Sequence, residues 1–272
     1  MTAGSNIVLT GATGGIGRAF ASALVPRAGS LLLAARDEGR LQAMAAGLRR
    51  EHPALQVSTV AGDLCSVPGR AAVVEAARAL PGGPELLVNN AGVGDFAWFA
   101  NESEADIERV IRTNLLAPVL LTRALLPLMR PGPHAAVVNI GSILGDIGNP
   151  GNVAYSTAKY ALRGFSEALR RELHGTGIRV QYLAPRATRT TLNSAAQDAL
   201  NAELGNGSDA PDTVARALLA LLDGHRAEMH LGWPERFFVR LNRLLPSVVD
   251  RALGRRAAVV RRHAATKGGN AG

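Results

Sequence analysis

Apolar and polar positions fall into two alternating patterns along the chain. Short unbroken apolar runs give way to stretches in which apolar residues recur every three or four positions. The runs Asn6–Thr10, Leu31–Ala35, Leu55–Val60, Leu86–Asn89, Ala135–Ile140 and Ile178–Leu183 predict strands, with Glu228–Leu231 as a short last one. Helical spacing follows each of the first six. It is carried by Ile16, Phe20 and Leu24, by Leu41, Met44 and Leu48, and then by Ala71–Leu80, Ile107–Met129, Ala154–His174 and Asp212–Leu222. Pro118 is expected to bend the helix over Ile107–Met129. Strands without polar alternation imply burial on both faces. The predicted class is therefore α/β, one doubly wound parallel sheet with helices on both sides. Ligands of such sheets bind beyond the carboxyl ends of the strands, where strand order reverses. Functional residues are thus expected just after strands.

Composition narrows the picture. The 272 residues are 47% apolar and 19% charged, which excludes a wholly disordered chain. They suit one catalytic domain over residues 1–234 with an appendage over 235–272. Cys65 is the single cysteine, so no intrachain disulfide can form. No unbroken apolar run reaches the roughly 18–20 residues of a membrane span, and no secretory leader is visible, so a cytoplasmic location is expected. The net charge is +8, but residues 235–272 carry +7 of it and residues 1–234 only +1. The body is therefore not expected to bind nucleic acid. Of thirty basic residues only Lys159 and Lys267 are lysines.

The first predicted strand runs into Thr10-Gly11-Ala12-Thr13-Gly14-Gly15-Ile16-Gly17 and then into a helix. Glycines in that place allow a tight turn and a close backbone approach by a pyrophosphate, and the helix N-terminus adds free N–H donors. A plain turn would explain glycines alone, but their place between strand and helix favours a dinucleotide. There is no Walker-type lysine, against a nucleotide triphosphatase. After the second strand comes Ala34-Ala35-Arg36. Ala35 offers no carboxylate for a ribose 2′-hydroxyl, whereas Arg36 suits a 2′-phosphate, which favours NADP(H) over NAD(H). The alternative is a solvated arginine in an arginine-rich chain.

Tyr155 and Lys159 open the long helix after the fifth strand. Residues four apart share a helix face, so both can point into one cleft. A nearby ammonium is expected to lower the phenol pKa and make Tyr155 a proton donor to an alkoxide. Lysine in a chain that otherwise uses arginine suggests that a compact ammonium is required there. An ordinary surface pair is the competing reading. Tyr160, a competing phenol, lies about 100° around the helix from Lys159. Ser142, just after the fifth strand, carries a hydroxyl that can bond a carbonyl, or simply cap a loop.

Taken together, Thr10–Gly17, Asp63, Asn89-Asn90-Ala91-Gly92, Asn114, Ser142, Tyr155 and Lys159 resemble the short-chain dehydrogenase/reductase family over roughly residues 5–230. The resemblance implies a Rossmann-type fold and a catalytic tetrad. Tyr155 would be the acid/base, and Lys159 would lower its pKa and hold the nicotinamide ribose. Ser142 would orient the carbonyl, and Asn114 would support a water-mediated proton relay. It also implies cofactor contacts from Gly11, Thr13, Gly15, Ile16, Gly17, Arg36, Asp63, Leu64, Asn90, Ala91, Gly92, Pro185, Thr188 and Thr190, besides Tyr155 and Lys159. A homodimer or homotetramer, built through the helices at 107–129 and 154–174, is implied as well. The sequence departs from the family after Pro185, where Arg186 replaces the glycine of the usual Pro-Gly. It departs again at Gly14, where many NADP-using relatives carry a basic residue.

The loops after strands four to six contribute Phe96, Trp98, Phe99, Leu144, Ile147 and Leu192–Leu204, so an apolar or long-chain ketone or secondary alcohol is the expected small-molecule substrate. Ordinary lid packing would explain the same residues. No His/Cys/Asp cluster has metal-ligand spacing, so no metal is expected; His225 and His230 read as surface or core histidines. In the basic tail, Phe237, Leu241, Leu244 and Val248 form one helical stripe, Arg236, Arg240, Arg243 and Arg251 a neighbouring one, and Pro246 divides the segment in two. Its last residues, Ala264–Gly272, read as disordered. A helix pair folded over the cleft or against a sister subunit is favoured over peripheral contact with an anionic membrane. A cofactor-binding sensor without turnover and a membrane-peripheral scaffold are the alternatives to an enzyme. The sensor would have a broken tetrad, and this one is complete.

Overall fold

The computed structural model describes residues 4–190, 192–224 and 226–264; His225, Lys267 and the end of the tail expected to be disordered lie outside the described residues, apart from Ala264. Seven strands form one sheet: β1 (Ser5–Thr10), β2 (Ala28–Ala35), β3 (Gln56–Ala61), β4 (Leu86–Asn89), β5 (Ala136–Ile140), β6 (Arg179–Ala184) and β7 (Glu228–His230). Their order is β3-β2-β1-β4-β5-β6-β7, and every neighbouring pair is parallel. The apolar runs are buried on both faces because successive side chains point to opposite sides. On β1, Ile7 and Leu9 enter one core and Val8 the other.

The first core is covered by α1 (Gly15–Leu24), α2 (Glu38–Glu51) and α8 (Pro211–Asp223), through Phe20, Leu24, Leu41, Leu48 and Leu218. The second is covered by α3 (Val67–Arg78) and α5 (Ala117–Leu125), through Val73, Ala77, Leu121 and Leu125. On that side α4 (Glu104–Ile111) packs Val110 against Ala154 and Ala158 of α6 (Val153–Glu172). The chain moves outward from β1 to β3 and then returns to β4 beside β1. Strand order reverses there, which opens a crevice at the carboxyl ends of β1 and β4.

Three expectations need correction. The helix expected over Ile107–Met129 is a 25-residue helical run, Glu104–Leu128, interrupted not at Pro118 but by a π-helical segment at Arg112–Leu116. Pro118 sits in the first turn of α5, just after the π segment, within the same continuous run. By length and composition this run is apolar enough to cross a membrane, with a mean hydropathy of 1.2; it packs onto α3 and α6. The stretch Leu192–Leu204 is not only loop: it holds α7 (Ala195–Glu203), capped by the Ser194 hydroxyl accepting from the Gln197 N–H. The tail forms three helices rather than two: α9 (Glu235–Leu244), α10 (Pro246–Gly254) and α11 (Ala257–Ala264), with a second break at Arg255–Arg256. Of the Phe237 stripe, Leu241 is partly buried against the Ile143–Ile147 cluster, while Phe237, Leu244 and Val248 are exposed. Val239 and Val249 pack on Ile143 and Ile147, while Val260 and Ala264 pack on Phe96 and Leu200.

A buried polar chain joins the central strands to the helices. Asn89 Nδ2 donates to Thr122 Oγ1 (2.9 Å) and to Asn139 Oδ1 (2.8 Å). Asn139 Nδ2 donates to Ser166 Oγ (2.8 Å), and that hydroxyl donates to the Leu162 carbonyl (2.7 Å). Replacing Asn139 with alanine strips partners from Asn89 and Ser166 in a dry site. The expected loss is about 1–3 kcal/mol of stability, read as a lower midpoint in urea unfolding.

Candidate active site

The glycine turn is braced from β4. Thr10 Oγ1 donates to the Val88 carbonyl (3.3 Å) and accepts from the Asn90 and Ala91 N–H groups (3.0 and 3.1 Å). Asn90 Nδ2 donates to the carbonyls of Thr10 and Gly11, both at 3.0 Å. Both amide hydrogens of Asn90 are thereby engaged, so this side chain holds the turn and has no donor left for a ligand. Gly11 has φ +64°, and a Cβ there would lie 2.7 Å from Ala91 Cα. At Gly17 a Cβ would meet the Gly11 carbonyl oxygen at 2.1 Å. The crossing of β1, β4 and α1 thus requires glycine at both positions.

Helix α1 starts without a side-chain cap at Gly14 and without an acidic residue in its first turn. Its first N–H groups, around Thr13, Gly15 and Ile16, are left for an anion. Thr190 lies over them: a Cβ on Gly15 would come 2.7 Å from its Cγ2. Residues 175 positions apart in sequence therefore share one wall of the crevice. At the end of β2, Arg36 is exposed and makes no hydrogen bond or ion pair recorded among the described residues. The adjacent acid, Asp37, is already used: its carboxylate caps α2 by accepting from the Arg40 N–H (2.9 Å). Asp63 is exposed and accepts from the Cys65 N–H (2.9 Å). The Leu64 side chain is packed into the second core, so an adenine contact there falls to its backbone.

Gly92 faces Asn114, whose Oδ1 would lie 3.0 Å from a Cβ at that position. Asn114 sits in the π segment and is fully buried. Its Oδ1 accepts from the Val93 N–H and its Nδ2 donates to the Val93 carbonyl, both at 2.8 Å. The side chain clamps the strand end, so a proton relay at this position would have to use the backbone. Irregular turns of this kind expose such groups at functional sites.

Tyr155, Lys159 and Ser142 come together at the carboxyl end of β5. Lys159 is buried; its Nζ donates to the Ile140 carbonyl (2.9 Å) and lies 5.7 Å from the centre of the Tyr155 ring. Ser142 stands beside the Tyr155 phenol, which its hydroxyl favours in the ionised form, and accepts from the Leu144 N–H (3.1 Å). The expected lowering of the phenol pKa is not found. Burial pushes it up to about 12, opposed only by the Ser142 hydroxyl, while burial pushes Lys159 down to about 8. Desolvation is the largest cause of both shifts.

A sequence profile described as short chain dehydrogenase matches residues 5–201. The chain belongs to that family. The 3-oxoacyl-(acyl-carrier-protein) reductase FabG of Escherichia coli is 33% identical over 195 residues, covering 72% of this chain and 78% of the relative. A short chain dehydrogenase/reductase from Burkholderia phymatum, solved with NAD, superposes with a TM-score of 0.80 at 25% identity, covering 90% of this chain and 95% of the other. One from Sphingobium yanoikuyae, solved with NADPH, gives 0.75 at 29%, covering 90% and 96%.

Within this short-chain dehydrogenase the loop after β6 carries its own adaptation. Arg186 does not enter the crevice. Its Nε and Nη2 donate to Asp209 Oδ1 (3.0 and 2.8 Å) and its Nη1 to Glu235 Oε1 (3.3 Å), in the first turn of α9. Buried Pro185 accepts from the Ile143 N–H (2.9 Å). Thr188 is buried, with its hydroxyl on the Arg186 carbonyl (3.0 Å) and its own carbonyl 3.4 Å from Asn193 Nδ2. Among the expected substrate residues, Phe96 and Ile147 are buried under the tail helices, whereas Phe99 and Leu192 are exposed and Trp98 and Leu144 half-buried.

Two features escaped the sequence. Tyr182, fully buried on β6, accepts from the Ser142 N–H and donates to the Lys159 carbonyl, both at 3.4 Å. Asp146, also buried, lies 2.8 Å from His230 Nε2, 2.6 Å from Arg243 Nη2 and 3.2 Å from Arg163 Nε. Burial raises its pKa, but His230, Arg243 and Arg163 together hold it below the usual carboxylate range. No signal in the sequence marked either residue beyond the rarity of tyrosine, of which there are three.

Gly141 is forced by Tyr182, because a Cβ would meet the ring at 2.0 Å. Gly141→Ala is expected to destabilise the protein by about 1–3 kcal/mol in urea unfolding. Gly164→Ala on α6, with nothing within 4 Å of its added methyl, is expected to stabilise by about 0.5–1 kcal/mol.

Proposed function

We propose that this short-chain dehydrogenase is an NADP(H)-dependent oxidoreductase that interconverts an apolar ketone and its secondary alcohol. The observation that carries it is the Lys159 ammonium, anchored on the Ile140 carbonyl and 5.7 Å from the centre of the Tyr155 ring, with Ser142 at the same strand end beside the glycine turn. When bound, the nicotinamide supplies or takes up the hydride. Ser142 donates to the carbonyl oxygen and orients it. Tyr155 then gives its proton to that oxygen as it acquires alkoxide character. A phenol pushed up to about 12 is in its acid form at neutral pH, which suits reduction. Lys159, with one N–H on Ile140, has two left to hold a ribose hydroxyl and to stabilise the phenolate that remains. Asn114 keeps the neighbouring backbone fixed for a relay.

The N–H groups of Gly11, Thr13, Gly15, Ile16 and Gly17 would receive the pyrophosphate. Asp63 and the Leu64 backbone would meet the adenine. Ala91 and Gly92 would line the crevice, with Asn90 holding the turn, while Pro185, Thr188 and Thr190 would cover the nicotinamide end. Relatives solved with NAD and with NADPH leave the preference to this chain's own residues. Arg36 is free at the ribose end and the neighbouring Asp37 is engaged, which supports the 2′-phosphate. The ketone is supported by the reductase named for the Escherichia coli relative, and the apolar substrate by Trp98, Phe99, Leu144 and Leu192 at the rim. We take residues 1–234 as the catalytic body and 235–272 as its extension. A homodimer or homotetramer through the long helices is supported by Leu116, Val153 and Tyr160, which stand exposed on them.

Tyr155→Phe is expected to lower turnover of a ketone panel by about 10²–10⁴-fold while NADPH affinity stays within about threefold. Turnover that survives removes the acid/base assignment. Arg36→Ala is expected to reduce the preference for NADPH over NADH in kcat/KM by about 10–100-fold, the loss of a charge-assisted hydrogen bond. An unchanged ratio removes the cofactor preference.

A further inference from the structure

The extension meets the body with the wrong side. On α9, Val239 is buried, Asn242 Nδ2 donates to the Asp146 carbonyl (2.8 Å) and Arg243 pairs with the Asp146 carboxylate (2.6 Å). At about 100° per residue, Phe237 and Leu244 then point away from the molecule. Their exposures are 51% and 79%. An amphipathic helix that folds for its own stability buries its apolar side; this one is pinned through Val239, an amide and a guanidinium, and turns its aromatic side to solvent.

The patch is concentrated. Twelve large apolar side chains are exposed among the described residues, and six of them, Trp233, Phe237, Phe238, Leu244, Leu245 and Val248, lie within one sixteen-residue stretch. The aromatic rings touch in series, Trp233 to Phe237 at 6.3 Å and Phe237 to Phe238 at 5.8 Å between centroids. Around them Arg236, Arg240, Arg251, Arg255 and Arg256 are exposed, and no ion pair is recorded for any of them among the described residues. The only acids in residues 235–272 are Glu235, paired with Arg186, and Asp250.

We propose that this face docks on an anionic lipid bilayer, with the aromatic cluster at the level of the headgroups and the arginines on lipid phosphates. Aromatic rings ringed by unpaired cations fit an interface that is apolar below and negative above. A second copy of the chain fits worse, because its matching face would bring the same uncompensated arginines together. The inner side of this helix pair rests on Ile143 and Ile147, in the segment that follows Ser142, so the docked face is the outer surface of the substrate-side roof.

The test uses the full chain and vesicles of phosphatidylcholine, with or without one-quarter phosphatidylglycerol, in flotation at low and high salt. Binding is expected to be at least about tenfold tighter on the anionic vesicles and to weaken at high salt. It should be lost in Phe237→Ser/Leu244→Ser and in Arg236→Glu/Arg240→Glu, with circular dichroism and melting temperature unchanged. In a Trp98→Phe background, Trp233 is the one remaining tryptophan. Its emission should shift to the blue on anionic vesicles and be quenched by brominated lipid. Absence of flotation overturns the proposal, as does flotation that the Phe237→Ser/Leu244→Ser variant retains. It is equally overturned if sedimentation finds a dimer that the same variant dissociates while no vesicles are bound, since the face is then a contact between copies. None of these readouts depends on turnover, so they stand apart from the reductase assignment.

Discussion

The site depends on one buried ammonium. Lys159 has little access to water, and its recorded hydrogen-bond acceptor is the carbonyl of Ile140, the last residue of β5. A buried cation is tolerated only where it is bonded, so this contact ties α6 to the middle of the sheet at a fixed height. Tyr155 lies one turn earlier on the same helix face and is placed with it. Tyr182 closes the arrangement from below, joining the Ser142 N–H to the Lys159 carbonyl through one hydroxyl. Three side chains with the geometry for acid–base chemistry thus inherit their positions from the ends of β5 and β6.

A second set of ionic contacts fixes the extension over this centre. Asp146 gathers Arg163, His230 and Arg243 from α6, β7 and α9, and Arg186 joins Asp209 to the first turn of α9. The Asp146 carboxylate has no exposed surface, so losing a partner would leave a charge in a dry site. By contrast, the more exposed Arg262–Glu203 pair contributes little. With Val239 these bonds hold Asn242 and Arg243 inward, which leaves Phe237 and Leu244 turned outward.

How much of this could be read in the sequence follows from the range of each interaction. The strands and the sheet class were legible because burial on both faces leaves unbroken apolar runs, as at Leu31–Ala35 and Leu86–Asn89. The glycine turn and the Tyr155–Lys159 pair were legible because their spacing is local. The side-chain partners were not. The amide of Asn90 braces Gly11, and Leu64, expected beside adenine, has its side chain in the core. The Arg186 guanidinium was left without a destination, because Asp209 and Glu235 are distant in sequence. Phe237 and Leu244 were read as one stripe correctly, but periodicity gives a face without saying which way it turns. The pKa of Tyr155 was expected to fall because charge was weighed and desolvation was not.

Gly141 and Tyr182 constrain one another in a way that reaches beyond this molecule. The ring occupies the space a methyl group at 141 would need, and its hydroxyl holds two backbone groups of the site. Neither position can drift by itself. In any lineage that keeps the tyrosine the glycine is frozen, and a larger residue at 141 becomes accessible only after 182 has shrunk and the serine and lysine backbones have found other partners. Variation at these two sites is therefore ordered in time, and a comparison among descendants would find them changing as a pair, the strand residue first.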